Sequence, residues 1–189
     1  RSLANRGIKP KVAYVDDECC CAWRIIENIW PTIAIRLDGF HALKRLTQTT
    51  ASTQHPFHGA FCAKLSDAIY TYDAGELRRL QEARARAGMS KSLPKGLKMK
   101  YIPRIIADAN KIEEAIDSII TSFANRNHED MGPLLTPLTH AAWQNLRKHV
   151  RAGCLCDPPG VHLNMVDEHN NVTIGGEVFM PVKSLRGTS

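Results

Sequence analysis

Two aspartates in this chain stand directly behind apolar runs of strand type, and a histidine follows the second at a spacing of three. Asp16 ends the run Val12-Ala13-Tyr14-Val15, with Asp17 beside it. Asp38 ends Thr32-Ile33-Ala34-Ile35-Arg36-Leu37, and His41 follows. Carboxylate oxygens are the ligands that hard divalent cations such as Mg2+ prefer, and a carboxylate at a strand end is held in place by the sheet. Adjacent strand positions alternate in direction, so Asp16 is the candidate ligand and Asp17 faces away. Asp38 and His41 share one face of a helix that starts there. A bland role stands open for each: Asp16 and Asp38 as helix N-caps, His41 as a partly buried helix residue. By themselves they are not a complete metal site.

The elements that must position these groups follow from the pattern around them. Val12–Val15 is a strand. A helix runs from about Glu18 to Trp30, and Pro31 closes it. Thr32–Leu37 is a second strand, and Asp38-Gly39-Phe40-His41 opens an amphipathic helix with Ala42, Leu43 and Leu46. This is a βαβ unit whose strands pair as parallel neighbours. Asp16 and Asp38 then lie at one sheet end, the edge where α/β sheets place ligands.

Beyond residue 47 the period changes. Phe57, Phe61, Leu65 and Ile69 recur at helical spacing, which predicts a helix from about Pro56 to Thr71. Asp73-Ala74-Gly75-Glu76 is a capping box that starts a basic helix ending near Gly88. Met89 to Lys100 reads as a basic loop, and Pro103 to Asn125 as a helix with Ile105, Ile112, Ile116, Ile119, Ile120 and Phe123 on one face. Thr136-Pro137 marks the start of a helix through Trp143, Leu146 and Val150. From Val161 the pattern alternates with period two, and Asn170-Asn171 and Gly175-Gly176 supply turns. The expected division is a βαβ core over 1–47, a helical block over 48–153 packed through Phe61, Leu65, Ile112, Ile116, Ile119 and Trp143, and a β-hairpin over 154–189 that returns to the core.

Composition narrows the function classes. The 189 residues suffice for a real core. The formal charge of +6 suits a polyanionic partner. Lys91, Lys95, Lys98 and Lys100 are the best candidates for phosphate contacts. Arg84 and Arg86 interleave with Glu82 and read as a solvated helix face. No apolar run reaches the length of a membrane span, and no signal peptide is visible. The six cysteines fit a reducing compartment rather than a disulfide scaffold. Cys19-Cys20-Cys21 and Cys154-x-Cys156 with His162 both depart from zinc-ligand spacing, so buried small side chains are the default. No nucleophile elbow or glycine-rich phosphate loop is present.

The Val15-Asp16 strand end, Trp30-Pro31 before the second strand, Asp38-Gly39-Phe40-His41 as a C/D-x-x-H motif, and the tail Leu185-Arg186-Gly187-Thr188-Ser189 together resemble the core of eukaryotic DDE/D transposases of the Mutator-like, hAT and Kolobok group. The resemblance implies an RNase H-like fold, partial here and interrupted by a helical insertion. It implies that Asp16 is the second catalytic acid, and that Asp38 and His41 support the site. It also implies DNA as partner, Mg2+ or Mn2+ as cofactor of the intact parent, and a nuclear or otherwise cytoplasmic location. The family's first aspartate would precede Arg1 and its final glutamate would follow Ser189. The expectation is therefore a transposon-derived fragment that binds no metal stably and cleaves nothing. The alternative is a domesticated, non-catalytic module that binds DNA or protein.

Overall fold

The computed structural model describes residues 6–16 and 24–186. Asp17, Cys19, Cys20, Cys21, the start of the expected first helix and Gly187–Ser189 of the tail lie outside the described residues. The elements in chain order are β1 (Val12–Val15), α1 (Arg24–Ile29), β2 (Ala34–Leu37), α2 (Gly39–Thr47), α3 (His58–Ile69), β3 (Tyr70–Tyr72), α4 (Ala74–Arg86), α5 (Lys95–Tyr101), β4 (Arg104–Ile106), α6 (Ala109–Ala124), β5 (Asn127–His128), β6 (Gly132–Pro133), α7 (Pro137–Arg151), β7 (Asn164–Val166), β8 (Val172–Ile174), β9 (Glu177–Phe179) and β10 (Val182–Ser184). The fold is mixed α/β, and its sheets are small. Two compact units divide it: residues 1–69 with 106–161, and residues 70–105 with 162–189. Of the helices within 48–153, α3, α6 and α7 belong to the first unit, α4 and α5 to the second.

In the first unit β1 and β2 pair in parallel, from Val12↔Ala34 to Val15↔Leu37. The second strand begins two residues later than its β-branched pattern suggests. Pro31 has no N–H to give, and Ile33 N–H closes a turn onto Trp30 O at 3.1 Å. Helices α2, α3, α6 and α7 of the same unit pack on one another. Phe61, Leu65, Ile112, Ile116, Ile119 and Trp143 are all buried, as their 3.6-residue spacing predicts. Phe61 and Phe123 meet edge to face with ring centroids 5.3 Å apart. Helix α7 starts on the expected cap: the Thr136 side chain accepts from Thr139 N–H, Thr139 returns the bond, and Pro137 occupies the first turn.

In the second unit a core of Leu80, Ala83, Leu93, Tyr101, Ile102, Ile174 and Phe179 joins α4 and α5 to the β8–β9 hairpin. Gly175 and Gly176 both take positive φ, +56° and +83°, at the hairpin turn. Gly175 has a second reason to be glycine, since a Cβ there would lie 2.0 Å from Ala83 O. Strands β7 and β10 pair antiparallel. Among the described residues the C-terminal strands pair with one another and not with β1 or β2.

Three local expectations are corrected. Tyr70-Thr71-Tyr72 is a strand, not the end of a helix, because it pairs with Arg104–Ile106. Ile105 is accordingly in β4, and α6 starts only after Asp108, whose side chain caps Asn110 N–H at 2.9 Å. Lys95–Tyr101 is helical rather than loop, with Pro94 at the N-cap.

Phe61→Ala removes the largest α3 contribution to the first unit's core. It should cost about 3–5 kcal/mol, read as an early loss of helical circular dichroism in a urea titration.

Candidate functional site

The parallel register carries Asp16 and Asp38 to the same end of the strand pair. Asp38 N–H donates to Val15 O at 2.8 Å and extends the ladder by one bond. The next residue begins α2, so the helix rises directly from the strand end. Asp38 Oδ1 accepts from Phe40 N–H at 2.9 Å and from His41 N–H at 3.0 Å, which makes it the helix N-cap.

His41 stands one turn into α2 and turns its Nε2 to within 3.5 Å of Asp16 Oδ1. One turn further, Arg45 donates from Nη2 to the Asp16 backbone carbonyl. Thus one face of α2 is applied to the end of β1. Phe40 is exposed, and its ring meets the His41 ring edge-on at 5.4 Å. The Asp16 side chain is 72% exposed. Sequence reasoning missed Arg45, although its i+4 spacing from His41 was a usable signal.

The structure therefore brings together Asp16, Asp38 and His41. A pair of divalent metals needs bridging carboxylates. Here one Asp38 oxygen is committed to two backbone N–H groups, and the neighbour of Asp16 is an imidazole. Among the described residues no group of three His, Cys, Asp or Glu converges to hold a metal. Asp16, Asp38 and His41, the acids and imidazole that the described residues bring together here, do not by themselves fit a two-metal centre. What they can do is bind one another and position the start of α2. Cys154 is buried and Cys156 partly so, and burial pushes the Cys156 thiol up, away from the thiolate that metals take.

The excess of positive charge lies elsewhere. The second unit holds eleven Lys and Arg against six Asp and Glu, which leaves +5 of the chain's +6. Its arginines and lysines behave differently. Arg79 donates from Nε to Glu177 Oε2 at 2.7 Å, from Nη1 to Glu76 Oε2 at 2.7 Å and from Nη2 to Val178 O at 2.8 Å. Its guanidinium also covers the Phe179 ring at 4.6 Å. Arg86 donates to Glu177 Oε1 and to Gly175 O. These arginines bind the hairpin to α4. Glu177, which sequence reasoning passed over, is their shared anion, and the bond from Arg79 holds its carboxyl below the usual range.

Lys91, Lys95 and Lys100 are exposed and Lys98 half-buried. Among the described residues none of the four meets a carboxylate at ion-pair distance. Lys98 lies 5.9 Å from the centre of the Tyr72 ring, and Lys100 5.0 Å from that of Tyr101.

Comparison with protein-family models, with curated proteins and with solved structures returned no match.

Capping predicts different fates for two substitutions at one position. Asp38→Ala should lose about 1 kcal/mol of stability, and Asp38→Asn, which still accepts, close to none; urea midpoints compare them. Glu177 supplies a pH test. Its folded-state carboxyl titrates below the unfolded one, so its contribution is present above about pH 4.3 and disappears as pH falls through the lower folded value. The gap in urea midpoint between wild type and Glu177→Gln should be open at pH 7 and should narrow as pH falls below about 4.3. Asp167 and Glu113 also titrate low, and their acid-side loss is common to both proteins.

Proposed function

We propose that this chain is a transposase-derived, RNase H-like α/β protein that binds DNA through its phosphates and, as residues 1–189, does not cleave it. The observation that carries the binding is the concentration of positive charge in the second unit, where Lys91, Lys95, Lys98 and Lys100 stand without ion-pair partners among the described residues. Phosphate contacts of that kind are indifferent to base sequence and follow counterion release. The ancestry is supported by the parallel β1–β2 pair, with Asp16 and Asp38 at one end and His41 behind them. The absence of cleavage rests on the ligand set described above: Asp16 can fill part of one ion's shell, and among the described residues no second free acid is placed to bridge a pair. In this reading Mg2+ or Mn2+ would be the cofactor of a complete set of acids. A chromosomal partner makes the nucleus the natural compartment.

The test is a titration of fluorescein-labelled duplex of about 20 base pairs by anisotropy. If the four lysines each neutralise one phosphate, affinity should fall roughly 100-fold between about 50 and 200 mM salt. A Lys91, Lys95, Lys98 and Lys100 to Gln variant should lose most of the binding and most of the salt slope. No binding at the lower salt overturns the DNA partner. Mg2+- or Mn2+-dependent nicking that disappears in Asp16→Ala overturns the non-catalytic half.

A further inference from the structure

Three of the chain's four tyrosines lie in the second unit, and each carries a cation on its ring. Arg104 covers Tyr70 at 4.8 Å, Lys98 covers Tyr72 at 5.9 Å and Lys100 covers Tyr101 at 5.0 Å. Tyr101 is buried in the core, whereas Tyr70 and Tyr72 are half-exposed. These two stand at alternate positions of β3, so they share one face of the β3–β4 pair, about 7 Å apart along the strand. Tyr72 packs its body against the unit's core. Lys98 sits near the outer limit of a cation–π contact with it, held by a flexible stem.

Arg104 adds an independent observation. Its Nε is buried and has no hydrogen-bond partner. A buried donor left unmade is costly, and an acceptor oxygen brought to it would recover that cost. The same face thus offers two aromatic rings, two cations beside them and one unsatisfied donor.

We propose that this face is a stacking platform for single-stranded nucleic acid. Bases stack on Tyr70 and Tyr72, and Arg104 and Lys98 move from the rings to the adjoining phosphates. The inference rests on the phosphate-binding reading above and narrows its ligand. A duplex presents phosphates but keeps its base faces stacked on one another, so it uses the lysines and leaves the tyrosines idle. A single strand uses both. Aromatic stacking of this kind contributes between about 5- and 150-fold in affinity for each base.

The experiment measures anisotropy of the full chain with labelled dT20, rU20, the duplex, and an abasic strand with the same number of phosphates as dT20. Binding of dT20 should exceed that of the duplex by about tenfold or more, and the abasic strand should fall to the duplex level. Tyr72→Leu, which keeps the apolar body, should weaken dT20 at least fivefold and leave the duplex within about twofold, and Tyr72→Phe should restore dT20 binding. Equal binding of rU20 extends the platform to RNA, and weaker binding confines it to DNA. If the abasic strand binds as well as dT20, the platform does not exist, whatever the variants do. If duplex and single strand bind alike and Tyr72→Leu changes neither, this inference fails and phosphate binding stands. If nothing binds, both fail together.

Discussion

The parallel register of β1 and β2 is the constraint on which the acid end depends. Four residue pairs set it, and the bond from Asp38 N–H to Val15 O closes it. Val15 and Leu37, the last residues of the two strands, are buried and anchor it from one side. The outer edge of β2 is covered in turn, since Leu37 N–H donates to Cys154 O. A slip of one residue would turn each strand's side chains to the opposite face, exposing Leu37 and carrying Asp38 away from β1. Because α2 begins immediately after Asp38, the same register also decides where His41 and Arg45 point.

That economy gives Asp38 two tasks. It ends a strand, where a carboxylate is well placed to face a ligand. It also starts a helix, where a carboxylate is well placed to satisfy N–H groups that have no other partner. The geometry favours the second task, because Oδ1 already receives two bonds. Asp16 is different: it is largely exposed, touched by His41 through its side chain and by Arg45 through its backbone. Its neighbours hold its position without neutralising a pair of cations.

Charge is distributed in a way that follows from packing. The first unit holds fourteen basic and thirteen acidic residues, close to neutrality, and the second carries nearly all the excess. Within the second unit Arg79, Arg84 and Arg86 of α4 are used internally. Arg79 and Arg86 converge on Glu177 and hold the hairpin whose Gly175 fits against Ala83 O. The planar guanidinium suits that fork of acceptors better than an ammonium would. The lysines, as compact and strongly hydrated cations, are left at the surface.

Local information was sufficient for much of this. Apolar runs ended by acids, with Pro31 between them, announce β1 and β2. The 3.6-residue spacing of Phe61, Leu65, Ile112 and Ile116 announces the helical core, Thr136-Pro137 the start of α7, and Gly175-Gly176 the hairpin turn. Each of these signals is contained within a few residues. What the sequence did not disclose depends on partners far along the chain. Tyr70–Tyr72 looks like the end of a helix until Arg104–Ile106 pairs with it. Glu177 looks like an ordinary surface acid until Arg79 and Arg86, 98 and 91 residues earlier, close on its two oxygens. The ring faces of Tyr70 and Tyr72 acquire their cations only when β4 and α5 are folded beside them. Hydrogen-bond pairing and ion pairing between distant segments leave no periodicity in the chain, so the sequence by itself determined β1, β2, the main helices and the caps at Asp38, Asp73 and Thr136, and only the tertiary structure decided the short strands β3 and β4 and which side chains share a site.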